Sequence, residues 1–167
     1  MSSSHNEWTD HPGYRQYIDL SEETCAEIES LVTRIDLASA LATNLDVSPD
    51  EKAGFEQVRD ELKGRLGFGL KLLKSNLDIL AQERTQSEKT VSFLERQLGK
   101  ERAFLEVEKA SNESKEEEYR IQLRMSRIER ELKAQRSKAK TMGEAIGLFQ
   151  PVFEKAKTKA AEPVPVK

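Results

Sequence analysis

The residues of this 167-residue chain whose types could do chemistry are few, and their spacing keeps them apart. His5 and His11 lie near Glu7 and Asp10, a set that could touch a metal ion, but they sit in a polar stretch with no periodicity to hold a ligand geometry. A solvated arm is the favoured reading. Cys25 falls between the expected heptad positions of the first helix, on a largely polar turn, and reads as a partly exposed thiol. The carboxylate runs Glu22-Glu23-Glu27-Glu29 and Glu116-Glu117-Glu118 fall in expected first helical turns. The helix dipole favours acidic residues there, and neither run has a convergent acid or base partner. Gly67-Phe68-Gly69 lacks phosphate-binding spacing and lies in a helical pattern rather than after a strand. No nucleophile elbow, P-loop, metal-binding helix signature or dinucleotide fingerprint occurs. The expectation is a non-enzyme with no catalytic, cofactor-binding or metal-ligating residues and no small-molecule substrate.

Two surfaces are more informative. Arg120, Arg127, Arg130, Lys133 and Lys140 all fall at outward heptad positions, a basic stripe that could face an acidic partner, nucleic acid or anionic lipid. With no aromatic residue interleaved, stacking on single-stranded nucleic acid is disfavoured. The segment Leu66-Gly67-Phe68-Gly69-Leu70-Lys71-Leu72-Leu73-Lys74 is apolar on more than one side, so a two-helix coil cannot bury all of it. Leu66, Phe68, Leu70, Leu72 and Leu73 are therefore candidate partner-binding residues, packing between subunits first and inserting into a membrane interface second. Trp8, Tyr14 and Tyr17 join them as the aromatic content of an N-terminal arm.

Composition sets the frame for these surfaces. The chain is 34% charged, 37% hydrophobic and 6% aromatic, thin material for a globular core but suited to long helices that each bury a narrow stripe. Residues 1–61 hold 14 acidic and 4 basic side chains, and residues 119–140 hold 8 basic and 2 acidic. That separation favours staggered self-association or an oppositely charged partner. A single cysteine and no secretory signal suggest an intracellular, cytoplasmic setting, and no apolar run approaches the ~20 residues that span a bilayer.

The elements follow from the heptads. Residues 1–18 read as a flexible arm and 19–150 as a helical coiled-coil domain, with 151–167 as a disordered tail beyond Pro151. Helix 1 is expected over 19–45, opened by a capping box at Asp19-Leu20-Ser21-Glu22 and carrying Ile28, Leu31, Ile35, Ala38, Ala42 and Leu45. Ser48-Pro49-Asp50-Glu51 supplies an N-cap, a first-turn proline and a reciprocal glutamate for helix 2, expected over 49–110. Gly64, Gly67 and Gly69 interrupt it, each at about 0.8–1 kcal/mol relative to Ala; either a backbone approaches closely there or the helix bends. The polar stretch Ser111-Asn112-Glu113-Ser114 breaks the register and precedes helix 3, expected over 115–149.

Folding the chain about residue 113 matches Leu105 with Ile121, Leu98 with Ile128, Leu94 with Leu132, Leu80 with Ile146 and Leu77 with Phe149, each an a-to-d pair of an antiparallel coil. Leu73 meets Phe153, past the proline. Folding about residue 47 matches Ile28 with Leu66, Leu31 with Leu62, Ile35 with Val58 and Ala38 with Phe55. The expected architecture is all-α: elongated antiparallel coiled-coil hairpins of three long helices, the middle one shared. The expected role is a structural or adaptor subunit that assembles with itself or other helical proteins into an oligomer. A peripheral membrane protein using residues 64–74 and the basic face is the alternative, and a nucleic-acid-associated protein using that face ranks behind it.

Overall fold

The computed structural model describes residues 13–111 and 115–162. They form three helices, α1 (Gly13–Ala42), α2 (Pro49–Ser111) and α3 (Lys115–Ala161), with no strand among the described residues. The chain is all-α, and α2 is the shared element. It contributes residues through Leu80 to one compact unit, with α1 and the part of α3 from Ala145 onward, and residues from Ala81 to a second unit that ends at Glu144.

The entry to α2 follows its local sequence. The Ser48 N–H donates to a Glu51 carboxylate oxygen at 3.3 Å and the Glu51 N–H donates to Ser48 Oγ at 3.2 Å, closing the capping box with Pro49 as first helical residue. The preceding turn is held by the Asp46 N–H donating to Asn44 Oδ1 at 3.1 Å. Leu45, expected on the stripe of helix 1, lies beyond the end of α1 and is exposed.

The first unit is a three-helix bundle. Its core joins Ile28, Leu31 and Ile35 of α1 with Leu62, Leu66, Leu70, Leu73 and Leu77 of α2 and Ala145, Phe149, Phe153 and Ala156 of α3. The pairings about residues 47 and 113 give helix 1 and helix 3 successive stretches of helix 2 that meet near Leu73; the structure corrects this division, because both helices share one core with Leu62–Leu77 of α2. The physical reason is the width of the apolar surface on α2, which one partner helix leaves wet. Gly69 lies directly against α1: a Cβ there would sit 3.3 Å from Ile28 Cγ1. The α2 helix runs unbroken past this point, and the close approach of the Ile28 side chain accounts for Gly69. Nothing in the structure explains Gly64 or Gly67, which face open space.

Three boundaries depart from the sequence expectation. The α1 helix starts at Gly13, so Asp19-Leu20-Ser21-Glu22 is helix interior and not a cap; Ser21 is buried and its Oγ donates to the Tyr17 carbonyl at 2.6 Å. Packing of Ile18 and Cys25 against the core carries the helix back past the local capping signal. On α2, the expected seam residue Val58 is exposed and Arg59 is buried instead. In the antiparallel register set by the Ile28–Gly69 contact, Arg59 lies level with the small residue Ala38, which leaves room for a long stem. Finally, Pro151 lies inside α3 and residues 151–161 are helical, not a disordered tail. An interior proline costs about 3 kcal/mol. Burial of a Phe is worth roughly 1.5–3 kcal/mol, so Phe149 and Phe153 together with Ala156 outweigh it. Lys159, two turns on, pairs with Asp36 of α1 and at 3.1 Å with Glu162.

The second unit is an antiparallel two-helix hairpin. Its sense is set by the descending order of α3 partners along α2: Glu83 with Lys138 at 3.3 Å, Glu95 with Arg136 at 2.7 Å and Glu101 with Arg124 at 3.1 Å. Leu98, Leu105, Ile121, Leu132 and Met142 are buried. The seam is polar or small toward its open end: Ser87 is buried, and Arg84 lies against Gly143, where a Cβ would meet the guanidinium carbon at 3.1 Å. Arg84 bonds Glu88 at 3.1 Å within its own helix. Glu101, at a core heptad position opposite Met125, keeps its carboxylate largely covered by spending both oxygens on Arg124 Nε.

Phe153→Ala tests the correction at Pro151. Thermal or urea unfolding of the full chain should show a loss of about 3 kcal/mol, the cost of truncating a buried Phe; a loss below about 0.5 kcal/mol, usual for surface positions, would place the segment beyond Pro151 outside the core.

Candidate functional site

The described candidate residues of the sequence are distributed over all three helices. Among the described residues no group of three or more His, Cys, Asp or Glu side chains could hold a metal ion. His5, His11 and Trp8 lie outside the described residues. Tyr14 and Tyr17, expected in the arm, are half-buried in the first turns of α1, with the Arg15 guanidinium 5.9 Å from the Tyr14 ring centroid. Cys25, expected to be partly exposed, is buried in the core beside Ile28. The buried stripe of α1 steps by three from Cys25 to Ile28 and again to Leu31, a departure from the alternating heptad count that brings the thiol onto the inner face.

The apolar segment divides by face. Leu66, Leu70 and Leu73 are core residues of the three-helix bundle, so as partner-binding candidates they are corrected: the third surface they needed is supplied by α3 of the same chain. Phe68 and Leu72 remain outside, 66% and 45% exposed and one turn apart on α2. They are the part of the segment that the helices of this chain leave in water.

All five basic candidates of α3 are exposed, but they do not form one stripe. Two ion pairs identify the sides of the hairpin: Glu83–Lys138 marks one flank and Glu95–Arg136 the other. Arg124 lies two heptads from Lys138, and its helical neighbours Arg120 and Arg127 share that first flank. Lys133 lies on the second, where with Glu95, Leu98, Arg102, Glu129, Leu132 and Arg136 it lines a cleft of about 440 Å³. Lys140, one heptad from Lys133, follows it, and Arg130 lies between the flanks on the back of the helix, its Nε donating to the Ser126 carbonyl at 3.4 Å. The single stripe fails because outward heptad positions span more than half the circumference of a helix in a two-helix coil. Neutralisation is uneven as well. Arg120 binds Glu116 at 2.9 Å and Glu117 at 3.7 Å, and Lys140 lies 3.9 Å from Glu144. Arg127 and Lys133 have no ion pair among the described residues.

Further large apolar side chains are exposed outside the apolar segment, Leu37, Leu123 and Leu148 among them, and three of them lie together on the hairpin. Phe93, Phe104 and Val107 are 52%, 56% and 64% exposed on the hairpin. Phe104 lies three heptads from Glu83 and so on the first flank; Val107 and Phe93 are its neighbours there. Their signal in the sequence is apolar side chains at flank positions of the α2 heptads beyond residue 74.

Burial pushes the Cys25 thiol from its ordinary 9.0 to about 11, with the Glu29 carboxylate adding to the effect. The folded state therefore holds the proton more tightly than the unfolded chain. The stability this represents is complete below about pH 9 and is lost as pH rises toward 11. In a disulfide-exchange assay at pH 8, Cys25 should stay unlabelled in native buffer and react in full in urea; native labelling at the unfolded rate would contradict its burial. The chain matches no protein-family model, and no curated protein or solved structure matches it either.

Proposed function

We propose that this protein is a non-enzymatic structural or adaptor subunit, one that assembles through helix packing with itself or with other helical proteins in a larger complex. The observation that carries this reading is the set of large apolar side chains left exposed on helices whose inner faces are already satisfied: Phe68 and Leu72 on the three-helix bundle and Phe93, Phe104 and Val107 on the hairpin. Leaving these side chains in water forgoes roughly 1 kcal/mol or more apiece, and a partner helix would recover it. A chain this rich in charge, with so few aromatics, loses nothing in solubility by it.

The oligomeric or complexed mass of the full chain tests the proposal. Light scattering after gel filtration at low and high salt should show a species larger than the monomer, alone or with a co-purified partner. Phe68→Glu with Leu72→Glu should reduce it while leaving the helical signal intact. A strict monomer at micromolar concentration that retains no partner under either condition would sink the proposal.

A second reading, a protein of the anionic membrane surface, is favoured by one specific arrangement: Phe68 and Leu72 are exposed beside the exposed Lys71. Among the described residues no helix is long and apolar enough to cross a membrane, so such binding would be peripheral. Flotation with phosphatidylserine-containing vesicles separates the readings. The membrane reading expects wild type to float and Phe68→Glu to remain at the bottom; wild type at the bottom removes it.

A further inference from the structure

We propose that the flank of the hairpin carrying Phe93, Phe104 and Val107 is a receptor for one acidic amphipathic helix of a partner protein, which completes there the three-helix arrangement that the chain completes for itself elsewhere. This rests on the adaptor reading above and names its partner by chemistry.

The chain holds its own template. In the first unit, α2 and α3 are covered by α1, whose described charges are six acidic (Asp19, Glu22, Glu23, Glu27, Glu29, Asp36) against two basic (Arg15, Arg34). Its apolar stripe Ile28, Leu31 and Ile35 enters the core. At its margins Glu27 lies 3.9 Å from Arg65 of α2, and Asp36 pairs with Lys159 of α3. An acidic helix thus seats between α2 and α3 by apolar contact along its middle and a cation from each helix at its edges. In the second unit the same two helices stand without a third among the described residues.

The first flank of the hairpin reproduces those terms. Phe93 and Phe104 are eleven residues apart, about three turns or 16 Å, on one line of α2 that Val107 extends. Between them lies Lys100. In the register fixed by Glu101–Arg124 and Glu95–Arg136, Arg127 stands level with Lys100 across the seam. Neither Lys100 nor Arg127 has an ion pair among the described residues, and both are exposed. The pattern along the flank is apolar, two cations, apolar, with one carboxylate beside it, Glu131, which accepts from Gln135 Nε2 at 3.0 Å. It fits a helix of three to four turns with apolar residues at both ends of its contact stripe and carboxylates at the middle.

The same cations argue against a second copy. A two-fold pairing of this flank with itself would bring Lys100 and Arg127 onto their own counterparts in a desolvated centre, where like charges are costly. The opposite flank is a poorer receptor: its cleft already holds the Glu95–Arg136 pair together with Arg102, Glu129 and Lys133.

The test uses the full chain and two synthetic 25-residue helical peptides, one with Leu at i, i+4, i+7 and i+11 flanked by Glu, the other with Lys in place of every Glu. Fluorescence anisotropy should show binding of the acidic peptide, about tenfold weaker in Lys100→Glu/Arg127→Glu and in Phe104→Ser, and unchanged in Lys133→Glu on the opposite flank. Unaltered thermal unfolding of the variants establishes that they fold. Failure of wild type to bind the acidic peptide, equal binding of the basic peptide, or an equal loss in Lys133→Glu overturns the proposal. If the chain is oligomeric or partner-bound by light scattering while any of these holds, the adaptor reading stands and only this flank is wrong; a monomer that binds neither peptide removes both.

Discussion

Between Leu62 and Leu77 the α2 helix presents apolar side chains over an arc too wide for one partner helix to cover, and the rest of the fold answers that constraint. The α1 helix takes one side through Ile28, Leu31 and Ile35, and α3 takes the other through Phe149, Phe153 and Ala156. Each boundary that departs from its local signal does so in favour of this core. The start of α1 is drawn back to Gly13, α3 continues through Pro151, and the thiol of Cys25 is enclosed. The tertiary burial involved amounts to several kcal/mol, against roughly 1 kcal/mol for a missing cap and about 3 kcal/mol for an interior proline.

The two units contrast in how their charges are used. In the bundle, the pairs Glu27–Arg65 and Asp36–Lys159 sit at the edges of an apolar core, where they orient helices more than they stabilise them, as exposed pairs are worth little. In the hairpin, charges enter the seam itself. Glu101 is held by Arg124, and Arg84 rests on the surface left bare by Gly143. Polar groups at core heptad positions lower stability and fix register, and here they fix the antiparallel alignment that a run of similar leucines would leave free to slide. The hairpin is thus specific in its alignment but thin in its core, and its flanks retain apolar surface.

Much of this was legible in the residue pattern. The Ser48-Pro49-Asp50-Glu51 cap, the antiparallel match of Leu98, Leu105, Ile121 and Leu132, and the need of the Leu66–Leu73 segment for a third surface all follow from spacing and residue type. The match of Leu73 with Phe153 already pointed past the proline. Harder to read was which surface would meet that need, since a helix from the same chain and one from another present identical chemistry. The choice of Arg59 over Val58 at the seam was also hidden, because it depends on which face of α2 the packed helices cover and not on the hydrophobicity of either residue.

Helix periodicity is a local property, set by side-chain type at fixed intervals along one segment, and so the sequence by itself determined that the chain is all-α, where its middle helix begins, and that α2 and α3 lie antiparallel. Only the tertiary structure decided how many helices share each stretch of α2, how far α1 and α3 extend, and which apolar side chains stay in water. Those outcomes depend on the free energy of burial between segments distant in the chain, which outweighs caps, breakers and outward heptad positions wherever enough surface is covered.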